Sequence, residues 1–275
     1  MKDFYIIEQT GAGIKFMTIT SRNNIALGIV LLLSFMILFL LAAPFSIAVA
    51  EKSTVLLKDF FTYNYIYSLI LIIYALAGIL SVRTFFYKTN SLEIFFFMLF
   101  LLSIIFESSR SFIIILEYLN SPSSYIMFLS RAAYFGKIFG TGALFTSALF
   151  SSAIETRKLD THVIAIVVLS FLLSSSIPLS DNLLQNSYYR PGFFNYFIFS
   201  LIFIDILTAI IFLVIFFQKK NREYVLLAIS ILLITFGREL SFYFSSPVYF
   251  TAGIIFMVIG TFLYSGNLHS IYKWY

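Results

Sequence analysis

Residues 93–119 read EIFFFMLFLLSIIFESSRSFIIILEYL. A helix needs about 20 predominantly apolar residues to cross a bilayer, and this stretch has them. The apolar run is continuous, without the alternation of a barrel strand. In its second half stand Glu107 and Arg110. An ionised side chain at bilayer depth costs at least about 2.5 kcal/mol on insertion scales, so both must face a protein interior and find partners there. This one segment therefore predicts a membrane span and, around it, a helical bundle with a polar interior.

The rest of the chain agrees. Hydrophobic residues make up 60% of the 275 and charged residues only 11%, less than half the charged share of an ordinary soluble domain. The mean hydropathy is +0.96. Eight spans are expected, at 25–48, 63–86, 92–117, 123–150, 161–180, 193–217, 223–244 and 247–268. The connecting segments are too short for a soluble domain, so 1–275 reads as a single all-α integral membrane domain. Lipid contact on the outside of the bundle follows.

Lysine and arginine in the loops set the orientation. With the N-terminus inside, the inner segments hold Lys2, Lys15, Arg22, Arg83, Lys88, Arg157, Lys158, Lys219, Lys220, Arg222 and Lys273, while the outer loops hold Lys52, Lys58 and Arg190. The bias of 11 to 3 predicts N-in and C-in, as in a bacterial cytoplasmic membrane. It also explains the net charge of +5 without an anionic partner, and no basic tract suited to nucleic acid occurs. One alternative concerns the first span: basic residues, an apolar run and Ala48-Val49-Ala50 resemble a cleavable signal peptide, although the run exceeds the usual 7–15 residues. Cleavage would leave seven spans in the same orientation.

An internal duplication is expected. Asn64-Tyr65 recurs as Asn195-Tyr196, Glu93 as Glu223, Phe106 as Phe236 and Ser111-Phe112 as Ser241-Phe242. Ser121-Pro122 and Ser246-Pro247 open the fourth and eighth spans, and Gly140-Thr141 returns as Gly260-Thr261. The halves would be 20–152 and 157–270. Four spans per half make the repeats parallel, about an axis along the membrane normal, and spans two to eight form a 3+1+3 series.

Seven ionisable residues are expected at bilayer depth, away from the span ends: Glu107, Arg110, Arg131, Lys137, Asp205, Arg238 and Glu239. They are the candidate ligand-binding residues. At 1.5 Å per residue, Glu107, Arg110, Arg131, Arg238 and Glu239 are expected in the outer half, as one cluster. Glu107 and Arg110, three apart, would share a helix face. Lys137 and Asp205 are expected near the midplane as a pair. Such networks can simply lock helices in register, so a ligand site is weighed against a structural lock.

Gly136, Gly140 and Gly260 on the fourth and eighth spans predict close helix approach, within the chain or across a homodimer. The five prolines stand at helix ends or in loops, so the helices are expected to run unbroken. Tyr63, Tyr65, Tyr125, Tyr188 and Tyr189 read as an interfacial aromatic belt.

Catalytic signatures are absent from the sequence. There is no cysteine, and the two histidines, His162 and His269, lie far apart, so thiolate sites, bis-His haem and His-rich di-iron centres are not expected. No phosphate-binding glycine loop, zinc-protease motif or nucleophile elbow occurs. No enzyme activity, metal or cofactor is predicted. Two functions are expected. The first is a sensor or accessory module that binds a small ligand or partner helix in a charged intramembrane cavity and signals through a partner protein. The alternative is a small-solute permease with a midplane Lys137–Asp205 site.

Overall fold

A computed structural model describes residues 19–50, 63–86, 91–152, 159–183, 187–243 and 246–273. Nine helices and one small hairpin are found among them: α1 (Ile19–Ala50), α2 (Tyr63–Phe85), α3 (Leu92–Glu107), α4 (Arg110–Tyr118), α5 (Ser123–Ser151), α6 (Leu159–Ser176), β1 (Leu179–Leu183), β2 (Tyr189–Pro191), α7 (Phe194–Lys219), α8 (Glu223–Tyr243) and α9 (Pro247–Lys273). Lys2, Lys15, Lys52, Lys58, Lys88, Arg157 and Lys158, which carry much of the orientation argument, lie outside the described residues.

Among the described residues six segments are long and apolar enough to cross a membrane: Asn23–Ser46, Asn64–Phe85, Leu92–Tyr118, Phe194–Lys219, Glu223–Tyr243 and Pro247–Tyr272. The chain is thus an all-α protein built for a bilayer. The other two expected spans differ from these six. Helix α5 is long enough but carries Arg131, Lys137 and many small polar residues. The apolar part of α6, Thr161–Ser176, is short. It ends where three serines precede Pro178, which cannot continue a helix.

Helices α2, α3, α5, α7, α8 and α9 pack in that order, and α9 returns to α2, closing a ring of six. Helix α1 lies outside against α2, and α6 outside against α5. Burial follows this order. On α3 every residue from Glu93 to Leu101 is buried, as expected of a helix apolar on all sides. Leu31, Phe35 and Leu38 of α1 and Phe171 of α6 are exposed, on outer helices whose free faces suit lipid.

Glycines set the two closest helix contacts. A Cβ on Gly136 would lie 2.7 Å from the Ser103 carbonyl oxygen of α3, and one on Gly260 would lie 2.9 Å from the Ser230 carbonyl oxygen of α8. Gly140 faces Ser103 and the Arg238 guanidinium. A homodimer through Gly136, Gly140 and Gly260 is therefore not what these residues serve. Their open sides are filled by α3 and α8 of the same chain.

The expectation of unbroken helices also fails, and it fails within FESSRSF. Helix α3 stops at Glu107 and α4 starts at Arg110. Through the break the bonds tighten: Ser109 N–H donates to Phe106 O at 3.3 Å and Ser111 N–H to Ser108 O at 3.2 Å. These are three-residue steps, typical of 3₁₀ turns. No proline is involved. A side chain from the β1–β2 hairpin fills the break.

Candidate functional site

Tyr188, just before β2, is fully buried. Its hydroxyl accepts from the Arg110 backbone N–H at 3.1 Å and donates to the Glu107 carbonyl oxygen. Arg110 N–H would otherwise seek Phe106 O, and Glu107 O would otherwise receive Ser111 N–H. The phenol thus satisfies one donor and one acceptor freed by the break. Insertion of a side chain into the ladder is a recognised cause of kinks. The Tyr188 ring stacks on Phe242 at 5.3 Å. Burial pushes its pKa up, so the hydroxyl keeps its proton and remains a donor. The hairpin is held by two more bonds: Tyr134 Oη donates to Tyr189 O at 2.8 Å, and Tyr189 N–H donates to Ser130 Oγ at 3.1 Å. Tyr188 was expected in the interfacial belt and instead sits in the core. So does Tyr65, whose hydroxyl donates to Leu40 O on α1.

Inside the ring, α8 presents Arg238 and Glu239 in succession. Adjacent residues on a helix point about 100° apart, and here they serve different neighbours. Arg238 reaches across to α3 and α5. Its Nε donates to Glu107 Oε1 at 2.6 Å and its Nη2 also pairs with that oxygen. Nη2 donates to Gly136 O at 2.8 Å and Lys137 O at 3.2 Å, Nη1 donates to Thr141 Oγ1 at 3.4 Å, and the guanidinium lies 5.4 Å from the Phe100 ring centre. Gly140 leaves the room this requires, since a Cβ there would come within 2.8 Å of both terminal nitrogens.

Glu239 pairs with Lys137 of α5. Lys137 is fully buried, and its ammonium lies 4.6 Å from the Phe242 ring centre and 5.0 Å from that of Tyr243. The expected Lys137–Asp205 pair is therefore not formed. Glu239 takes the ammonium instead.

Asp205 of α7 is 4% exposed and its Oδ1 has no hydrogen-bond partner. It lines a cavity of about 780 Å³ between α7 and α8 together with Glu239, Thr235 and Tyr243 and a majority of apolar residues, among them Ile202, Ile206, Leu233 and Phe236. Glu239 Oε2 and Tyr243 Oη are also buried without partners.

The remaining expected residues divide. Arg110 is fully buried. It does not share a face with Glu107 as a helical pair, because the break separates them. Its Nη2 donates to Ser241 O at 3.3 Å and its guanidinium lies 5.8 Å from the Tyr188 ring centre. No carboxylate pairs with it among the described residues. Arg131 does not join the cluster: its position on α5 is exposed, turned away from the ring interior.

Sequence reasoning did not find a second polar group at the opposite end of the ring. Glu93 Oε2 accepts from Ser91 at 2.6 Å and Tyr272 at 2.7 Å. Ser147 bridges to Tyr264 at 2.7 Å and donates to the Glu93 carbonyl at 3.1 Å. Apart from this group, Tyr74 and Thr261 join α2 to α9 at 2.6 Å, mid-helix in both. The recurrence of Glu93 as Glu223 was the available signal. Among the described residues no group of three or more His, Asp or Glu could hold a metal ion. No known protein family, curated protein or solved structure matches this chain.

Proposed function

We propose that this multi-pass membrane protein binds a small ligand in the α7–α8 cavity and acts as a sensor or accessory module, passing occupancy to a partner protein. One observation carries this reading: Asp205, a buried carboxylate with one oxygen that has no hydrogen-bond partner, lines a cavity of about 780 Å³. That volume is within the range of small-molecule sites, roughly 300–1,000 Å³. Buried polar atoms are nearly always satisfied, and an intramembrane acid facing a cavity marks a functional site by default. Glu239 links the cavity to the ring, because the same side chain holds Lys137 and follows Arg238, which holds α3.

The test is a neutral photoreactive hydrophobe added to the protein in nanodiscs, with labelled peptides read by mass spectrometry. Labelling of Leu233 and Leu240 should saturate with probe concentration, while labelling of Phe35 and Leu38 on α1 should rise linearly. Linear labelling at both places would overturn the reading.

The permease alternative gains from the α3–α4 break, since interrupted helices expose backbone groups to solutes in many transporters. Here Tyr188 already occupies those groups, so the sensor or accessory reading is preferred. Asp205-dependent uptake of a solute into liposomes would reverse that preference.

The arrangement we infer in the membrane has eight crossings, N-in and C-in, with two parallel halves, in a bacterial cytoplasmic membrane. The order of the ring supports it: α2, α3 and α5 are followed by α7, α8 and α9, and glycines of α5 and α9 seat α3 and α8 in corresponding ways. The natural chain has no cysteine, so single cysteines at 155 and 221 should react only from the inside, and one at 187 only from the outside.

A further inference from the structure

The chemistry of the α7–α8 cavity goes further than the presence of a ligand. We propose that it takes an amphiphile with a protonated amine head, which slides in sideways from the bilayer and seats its ammonium between the carboxylates of Asp205 and Glu239. This rests on the reading of the cavity as a ligand site.

Charge selects the head. Among the described residues Arg238 is matched by Glu107 and Lys137 by Glu239. Two buried charges are left: Arg110 donates to Ser241 O and stands beside the Tyr188 ring, while Asp205 is on the cavity, which no basic residue lines. Hydrogen-bonding capacity agrees. An ionised carboxylate only accepts, and an ammonium has three donors and no acceptor. Asp205, Glu239 and Tyr243 all line the cavity, and each carries an oxygen with no protein donor, so the site is rich in acceptors and poor in donors. A fatty acid would bring a third carboxylate to two already present, which like-charge repulsion disfavours.

The walls select the tail. Ile202, Ile206, Leu232 and Phe236 line the cavity and are themselves 37–56% exposed. They lie on the faces of α7 and α8 that suit lipid, so the cavity mouth opens toward hydrocarbon. A bare metal ion fits poorly: calcium takes 6–8 oxygen ligands, and the walls are mostly apolar.

The experiment uses the full chain in nanodiscs and three competitors of equal length, dodecylamine, dodecanol and dodecanoate, against the saturable photoprobe. Dodecylamine should displace the probe from Leu233 and Leu240 at a concentration at least ten times lower than dodecanol, and dodecanoate should be the weakest. Asp205→Asn should remove the amine's advantage, dodecylamine and dodecanol then displacing the probe at similar concentrations. Tyr243→Phe, which removes a cavity hydroxyl without a partner and touches no ion pair, provides a second variant, expected to shrink the amine's advantage, should Asp205→Asn fail to elute as folded protein. Equal displacement by amine and alcohol, or an amine advantage that survives both substitutions, would overturn the ligand class and leave the cavity standing. Labelling that appears only after a co-purifying protein is stripped away would assign the cavity to a partner helix and overturn the amphiphile. Absence of saturation would instead strike the underlying site.

Discussion

Substitution of Glu107 by glutamine asks the most of the ring. The amide keeps the shape and one acceptor oxygen, but Arg238 keeps its charge. Both side chains are at most 3% exposed, so water cannot take over. The Nε bond at 2.6 Å becomes a bond to a neutral oxygen, while the bonds to Gly136 O, Lys137 O and Thr141 persist. Removing one member of a buried ion pair costs about 3–5 kcal/mol, and the three persisting bonds set the expectation at the lower end, about 3 kcal/mol. The double variant Glu107→Met/Arg238→Met removes both charges and fills similar volume. Such replacements are neutral or stabilising in soluble proteins, so it should recover most of the loss. The assay is reversible unfolding in mixed micelles with increasing SDS, followed by circular dichroism. A loss below about 1 kcal/mol for the single variant, or a double variant no better than the single, would refute the claim that an uncompensated Arg238 is what destabilises.

Four further outcomes are expected. Tyr188→Phe deletes the hydroxyl that bridges the helix break and leaves Arg110 N–H and Glu107 O unpaired; in the same unfolding assay it should cost about 1–3 kcal/mol. Gly140→Ala drives a Cβ into Ser103 and Arg238 and should lower stability by about 1–3 kcal/mol, whereas Gly266→Ala, with nothing within 4 Å, should be neutral or gain up to about 1 kcal/mol. Exchanging charges as Lys137→Glu/Glu239→Lys should rescue folded yield relative to either single change, and Lys137→Asp/Asp205→Lys should not. Asp205→Asn alone should leave thermal stability within about 1 kcal/mol, because its Oδ1 has no protein partner to lose; a larger loss would mean the carboxylate is structural.

How much of this was legible depended on range. The membrane helices were readable because twenty-odd apolar residues have few other fates. Glycine spacing correctly marked close approach but could not say against what; the answer, α3 and α8 of the same chain, needs the ring. The break in FESSRSF carried a signal that was misread. Paired serines can bond back to the preceding turn, and Ser108 Oγ donates to Ile105 O at 2.7 Å, yet without proline or glycine the run looked continuous. The hydroxyl that seals the break, on Tyr188, accepts from a residue 78 positions away and looked like that of any interfacial tyrosine. Depth alone suggested Lys137 for Asp205. Rotation decided otherwise, since Glu239 follows Arg238 by one residue and so faces a different quarter of the ring. Depth is linear in sequence, whereas the facing of a residue depends on which helices become neighbours.

The dependence of FESSRSF on later residues has a consequence for synthesis. When α3 and α4 leave the ribosome, Arg110 N–H lacks its phenol until residue 188 is made, 78 residues on, and Glu107 lacks its guanidinium for 131 residues. At translation speeds of about 5–20 residues per second these delays are roughly 4–16 and 7–26 seconds. During that time the first half of the chain carries an open charge and an unsealed kink where lipid would otherwise be. The nascent helices must wait near water or the insertion machinery, and the ring can close only from its C-terminal side.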